Sequence, residues 1–210
     1  PLYVEEKSIM YLMARAAKQA GTPAIRTSSI RDVIAIKEET GLPVIGLVKV
    51  QYSGYEGFIT PTMKEVDDLV AAGSDIVALD CTLRKRGDGS TVNEFIAQIR
   101  EKYPDIILMA DISNYEEGIN AWKCGVDIVG TTMSGYTAYT SSVSDGPDYE
   151  LMERLSRDIN IPVIGEGRIH YPDQAVKALQ TGAWAIVVGG AITRPLEIAM
   201  RFQNAIKESR

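Results

Sequence analysis

The stretch AIRTSSIRDVIAIKEETGLPVIGLVKV, residues 24–50, holds one complete strand–helix–strand unit. A short apolar run (24–26) passes through a polar loop into an amphipathic segment at helical spacing (30–39). Gly41-Leu42-Pro43 follows, with glycine where a helix C-terminus favours a left-handed residue, and then a second apolar run (44–50). The strand segments are apolar without clean alternation, as parallel strands covered on both faces are. The turn after the first strand, Thr27-Ser28-Ser29, has no Gly-x-Gly-x-x-Gly pattern. Its absence argues against the dinucleotide-binding version of an open doubly wound sheet.

The same unit recurs on either side. Further strands are expected at 76–80, 106–111, 126–131, 163–166 and 185–189. Helices are expected at 63–72, 92–103, 116–123, 149–158, 172–180 and 196–207, and Gly21, Gly73, Gly125 and Gly182 repeat the glycine joint. A leading helix at 6–20, with Ile9, Leu12, Met13, Ala16 and Ala17 on one stripe, has no strand before it. No linker or low-complexity tract interrupts the series, and no motif repeats within the period, so a solenoid is excluded. Uninterrupted βα units mean an α/β domain with a parallel sheet. The order α(βα)₇ predicts one domain over residues 1–210, a (β/α)₈ barrel whose first strand is missing at the N-terminus. The chain's 210 residues fall below the ~250 usual for this barrel. A barrel lacking a strand exposes two sheet edges, so about 15–25 residues are expected to precede Pro1 in the native protein.

Composition narrows the function classes. The chain has 22 Lys+Arg against 28 Asp+Glu, a net charge of −6, with 45% apolar and 7% aromatic residues. The acidic balance argues against nucleic-acid binding. No apolar run approaches the ~20 residues of a membrane span, and the N-terminus lacks a secretory pattern. Cys81 and Cys124 have neither zinc nor redox spacing, which predicts a reduced, cytoplasmic setting. His170 is the lone histidine, so histidine triads and His-rich metal sites are disfavoured.

In a barrel of this kind chemistry gathers at the C-terminal ends of the strands. The polar residues there are Arg26, Lys49, Asp80, Asp111, Thr131, Thr132 and Glu166. A lysine in the apolar run Val44–Val50 is costly there, so Lys49 either stands just past the strand end and reaches water, or faces a polar mouth, where it can serve in proton transfer or as a Schiff-base nucleophile. Phosphate is suggested by Gly165-Glu166-Gly167-Arg168-Ile169 and by Val187-Val188-Gly189-Gly190-Ala191-Ile192-Thr193-Arg194. Glycines let backbone N–H groups approach an anion, a helix start adds positive charge, and Arg168 and Arg194 can add charge-assisted bonds. Arg84-Lys85-Arg86 follows Asp80 closely enough to reach substrate but, like Asp67-Asp68, reads first as solvated charge, and His170 reads as a loop or helix-start residue. The loop 133–139, with Gly135, Tyr136 and Tyr139, reads as a lid or a packing loop.

The runs Ile59-Thr60-Pro61-Thr62, Ala78-Leu79-Asp80-Cys81-Thr82, Met109-Ala110-Asp111-Ile112-Ser113, Gly130-Thr131-Thr132-Met133-Ser134-Gly135-Tyr136-Thr137, Gly165-Glu166-Gly167-Arg168-Ile169 and Val188-Gly189-Gly190-Ala191 closely resemble the N-acetylmannosamine-6-phosphate 2-epimerase family. The matches run in order along nearly the whole chain. The resemblance implies a (β/α)₈ barrel that interconverts N-acetylmannosamine-6-phosphate and N-acetylglucosamine-6-phosphate in sialic-acid breakdown, as a homodimer without metal or redox cofactor. Carried over residue by residue, it implies catalytic Lys49 and Glu166, with Arg26 and Asp111 on the substrate. The matching phosphate contacts are Gly167, Arg168, Gly189, Gly190 and Arg194. Thr131 joins the substrate-binding set from its place at a strand end. The family's opening strand, with a glutamine that touches substrate, has no counterpart here.

The implied chemistry removes and returns the C2 proton of the open-chain sugar, with Lys49 as base and Glu166 as acid on opposite faces. A Schiff-base aldolase or lyase using Lys49 as nucleophile, or a non-catalytic sugar-phosphate sensor, are the competing readings.

Overall fold

The computed structural model describes residues 8–141 and 146–209, so residues 6–7 of the expected leading helix lie outside the described part. Seven strands follow one another: β1 (Ile25–Ser28), β2 (Val44–Leu47), β3 (Ile76–Asp80), β4 (Ile107–Asp111), β5 (Ile128–Gly130), β6 (Val163–Glu166) and β7 (Ala185–Val187). They form one parallel sheet in the order β1-β2-β3-β4-β5-β6-β7. Among the described residues β7 and β1 do not pair, so the barrel is nearly closed and open at one seam. The helices are α1 (Met10–Gln19), α2 (Ile30–Thr40), α3 (Met63–Ala71), α4 (Val92–Lys102), α5 (Tyr115–Lys123), α6 (Tyr149–Asp158), α7 (Pro172–Gln180), a single turn α8 (Gly190–Thr193) and α9 (Pro195–Glu208). This is the (β/α)₈ architecture, with seven strands among the described residues.

Local chemistry accounts for the boundaries. Ser29 caps α2 by accepting from the Asp32 amide, and Asn114 and Asp148 do the same for α5 and α6. Thr91 and Glu94 form a reciprocal capping box at α4. The joint glycines all have positive φ, Gly41 at 64° closing α2. The short α8 was not among the expected helices.

Apolar residues fill two layers. Val33, Ile36, Leu69, Val77, Phe95, Leu108 and Leu155 pack between sheet and helices. Ile45, Leu47, Ala78, Met109 and Ile164 fill the barrel interior together with Ile59 and Met133 from the mouth loops. That inner plug forms the floor beneath the polar residues at the strand ends.

Gly46, in the middle of β2, leaves no room for a side chain. A Cβ there would overlap Ser74 Oγ and lie 3.0 Å from both Leu69 Cδ2 and Val33 Cγ2. Gly46→Ala is expected to cost about 1–3 kcal/mol through overpacking, read as a lower urea midpoint at unchanged m-value.

Candidate active site

Arg26 reaches from β1 across the mouth to two carboxylates on distant strands. Its Nη2 lies 2.6 Å from Asp111 Oδ2, at the end of β4, and its Nε 3.2 Å from Glu166 Oε1, at the end of β6. The Arg26 side chain is 7% exposed, Asp111 is fully buried and Glu166 is 17% exposed. Thr132 closes the ring from the loop after β5. Its Oγ1 is 2.7 Å from Asp111 Oδ1 and 3.0 Å from Glu166 Oε2. The approach depends on Gly130, where a Cβ would run into the Met109 methyl and sit 3.2 Å from Thr132 Oγ1. Burial pushes the Glu166 carboxyl above its ordinary range, and the Asp111 charge adds to that against the opposing pull of Arg26, of the Thr132 hydroxyl taken as a donor, and of Lys49. Burial also works against the Arg26 charge, but the two carboxylates outweigh it and hold the guanidinium firmly protonated.

Lys49 stands just past β2, although its strand was expected to run through residue 50. The parallel ladder ends at Leu47, and Lys49 forms an antiparallel bridge with Ile59 instead. The returning segment is locked by Thr60, whose amide donates to Val48 O at 2.7 Å and whose hydroxyl donates to Ala78 O at 2.7 Å. Thr60 is wholly buried and held at φ 47°, a left-handed conformation that costs a β-branched residue about 1–3 kcal/mol. The Lys49 side chain is exposed, and among the described residues it makes no ion pair.

The remaining strand-end candidates turn elsewhere. Thr131 is fully buried, and its hydroxyl donates to the Glu166 carbonyl at 2.9 Å and accepts from the Glu166 amide at 3.1 Å. It therefore fixes the backbone of the glutamate, while the next residue, Thr132, meets the carboxyl. Asp80 accepts from the Thr82 amide and hydroxyl, at 3.0 and 2.6 Å, and pairs with Arg84. Burial raises the Asp80 carboxyl in spite of those bonds. Arg86 is buried 3.9 Å over the Phe95 ring and donates to the Pro61 carbonyl. The basic run after β3 is thus partly structural, where solvated charge was expected.

The family model described as "Putative N-acetylmannosamine-6-phosphate epimerase" (NanE) matches residues 10–208. The chain belongs to this family. It is 56% identical over 96% of its length to a "Putative N-acetylmannosamine-6-phosphate 2-epimerase" of Caldanaerobacter subterraneus, covering 85% of that protein. It is 50% identical over 95% of its length to the protein of the same name from Clostridium perfringens strain ATCC 13124, covering 89% of it. The solved structure of the N-acetylmannosamine-6-phosphate 2-epimerase from Clostridium perfringens superposes with a TM-score of 0.90 at 47% identity, over 97% of this chain and 90% of that one.

The positions expected to hold the phosphate lie on the loops after β6 and β7. Gly167 and Arg168 both have positive φ, 112° and 54°. Arg168 Nε donates to Gly146 O at 2.8 Å, and the guanidinium lies against Gly135 and 5.8 Å from the Tyr136 ring. Gly189 is open to solvent and Gly190 begins α8. Arg194, 63% exposed, pairs with Glu197 at 2.8 Å. The two arginines thus sit on different loops with partners of their own. His170 stands before α7, its amide donating to Gln174 Oε1 at 2.7 Å, as expected of a helix-start residue.

Thr132 lies among the strand ends but outside the expected site, and Glu117, on a helix, lies beyond the reach of strand-end reasoning. Glu117 is buried on α5 and ties three mouth loops together. It accepts from the Leu83 amide at 3.1 Å, from the Ser113 amide and hydroxyl at 2.7 Å each, and from the Tyr139 hydroxyl. Its signal was the spacing Ser113-x-x-x-Glu117, a hydroxyl one helical turn before a buried carboxylate. Glu117→Gln sets an amide NH₂ against these donors. It is expected to cost about 1–3 kcal/mol and to speed amide hydrogen exchange in residues 83–84 and 132–141, measured by mass spectrometry.

Proposed function

We propose that this chain interconverts N-acetylmannosamine-6-phosphate and N-acetylglucosamine-6-phosphate by removing and returning the proton at C2 of the open-chain sugar. The observation that carries the reading is the buried ring of Arg26, Asp111, Thr132 and Glu166, with Lys49 close enough for its charge to act on Glu166. Glu166 ends β6 and Lys49 follows β2, with β3, β4 and β5 between them. Groups on opposite walls suit an epimerase, which must take a proton from one face of a carbon and deliver one to the other. Lys49 serves as the base. Glu166, with its carboxyl raised by burial, serves as the acid, and the roles exchange with direction. Arg26 and Asp111 orient the sugar, and the guanidinium stabilises charge that builds on the carbonyl oxygen in the enolate. The phosphate falls to the backbone at Gly167, Gly189 and Gly190, with Arg168 and Arg194 beside it. Such an isomerase needs no redox step and no Schiff base.

The assembly and the compartment belong to the same proposal. The homodimer implied by family likeness would cover apolar residues such as Leu196, Met200 and Phe202, which are exposed along α9. Sedimentation at twice the 23.0 kDa chain mass is the expected result. No described helix is long and apolar enough to cross a membrane, which is compatible with work on a cytoplasmic metabolite.

Incubation with N-acetylmannosamine-6-phosphate in heavy water should place deuterium at C2 of both epimers by NMR. Lys49→Ala and Glu166→Gln should each reduce the rate about 10²–10⁴-fold. Exchange that survives Lys49→Ala would overturn the assignment of the base. Covalent capture of Lys49 by borohydride in the presence of substrate would replace the epimerase with a Schiff-base enzyme.

A further inference from the structure

The ring around Arg26 has one hydrogen too few to be joined as its distances require. Thr132 carries a single hydroxyl hydrogen, yet its Oγ1 lies 2.7 Å from Asp111 Oδ1 and 3.0 Å from Glu166 Oε2. Two ionised carboxylates can share that hydrogen only through a bent three-centre bond that serves neither well. A carboxylate left out of it would press its lone pairs against those of the threonine oxygen, in a site screened from water. The ring closes without repulsion only if one carboxyl brings a proton of its own.

The contacts say which one. Asp111 is fully buried, has the shorter bond to Thr132 and takes Arg26 Nη2 at 2.6 Å. Glu166 is partly exposed and lies 3.2 Å from Arg26 Nε as an ion pair without an aligned hydrogen bond. The tighter charged pair marks Asp111 as the carboxylate. We infer that Thr132 is the residue that keeps a proton on Glu166: Glu166 Oε2–H donates to Thr132 Oγ1, and the threonine hydrogen goes to Asp111 Oδ1. One buried cation then faces one buried anion, and the neutral glutamic acid is held at the mouth ready to donate. Thr132 is a positioning residue here, acting through Glu166.

Charged groups bear on Glu166 from every side. Arg26 on β1 and Lys49 after β2 favour its ionised form, and Asp111 on β4 opposes it. Asp80, beside Asp111 in the β3–β4 register, is paired with Arg84 and acts on Asp111. Burial is the largest influence and favours the neutral form. A threonine that gave its hydrogen to Glu166 would hold the carboxyl down, the sense the hydroxyl has when it is counted as a donor to both carboxylates. A threonine whose hydrogen is committed to Asp111 can only accept from Glu166, and so holds it up. Removing the hydroxyl therefore has a sign that separates the two arrangements.

The test labels glutamate at Cδ with ¹³C and follows the carboxyl resonances with pH, Glu166→Gln identifying the signal of Glu166. In the wild type Glu166 should titrate above the ordinary ~4.3 of a glutamate. Thr132→Val should lower that midpoint by about one pH unit, the equivalent of one net hydrogen bond. Thr132→Ser, which restores the hydroxyl, should bring it back. In turnover, activity that needs the protonated acid is lost as pH rises through its pKa, so the alkaline limb of Thr132→Val should move down by the same unit. A threonine that only packs would lower the rate and leave the limb in place. A midpoint that stays put or rises in Thr132→Val overturns the inference, as does a wild-type Glu166 that titrates in the ordinary range. The use of the proton at C2 rests on the epimerase reading, but the titration needs no substrate. A chain that titrates as stated and fails to exchange C2 hydrogen would overturn the functional reading alone.

Discussion

A single buried guanidinium shared by two carboxylates governs the mouth of this barrel. Arg26 leaves β1, a strand at the open seam, and is satisfied by Asp111 from β4 and Glu166 from β6. Leaving either charge buried alone would cost several kcal/mol, so the three strands are held to a common register at their ends. The sheet supplies that register with little tolerance. Asp111 pairs beside Asp80 and Gly130, and Glu166 beside Val187. The apolar plug of Ile45, Met109 and Ile164 sets the depth at which the charges lie.

Hydrogen bonds from neighbouring loops then fix what the sheet alone would leave loose. Thr131 clamps both backbone groups of Glu166. Thr60 does the equivalent work beside Lys49, at the expense of a left-handed φ. Ser29, Thr60 and Arg168 are the non-glycine residues with positive φ among those described, and all three lie beyond strand C-termini on the active face. Strain of this kind persists where surrounding bonds over-determine the backbone. At Thr60 those bonds are identifiable, and they place the antiparallel bridge that carries Lys49.

The fold was legible because a period of strand, loop, helix and glycine joint is a backbone property, written locally. The strands at 76–80 and 163–166 fall where the apolar runs put them, since both ends are marked by polar residues that face the mouth. The site was legible as a set of strand ends, and Arg26, Asp111 and Glu166 do meet. Orientation within that set was not. Thr131 and Thr132 are chemically identical neighbours, and which one meets the carboxyl depends on β5 ending at Gly130 and the chain turning there. Asp80 has the same strand-end position as Asp111, yet an arginine four residues on captures it locally. Glu117 sits on a helix, away from any strand end, and its importance appears only when three loops converge on it.

Arg168 and Arg194, the two arginines expected near the phosphate, differ in how they are held. Arg194 is bound to Glu197 by an exposed i,i+3 pair, an interaction worth about 0.2–1 kcal/mol. A dianionic phosphate would displace Glu197 from it at little cost, so Arg194 is free to follow a ligand in and out. Arg168 is placed differently, against the bare α-carbon of Gly135, with its Nε on the Gly146 carbonyl and Tyr136 alongside. Any side chain at 135 would overlap the guanidinium. That arginine joins the loop after β6 to the loop after β5, the same loop that carries Thr132. A phosphate held at Arg168 would place its charge beside the same loop that carries Thr132. Under the proposed function, binding at the far end of the sugar and the state of Glu166 would meet in one loop, the kind of link by which remote phosphate contacts serve the chemical step as well as affinity.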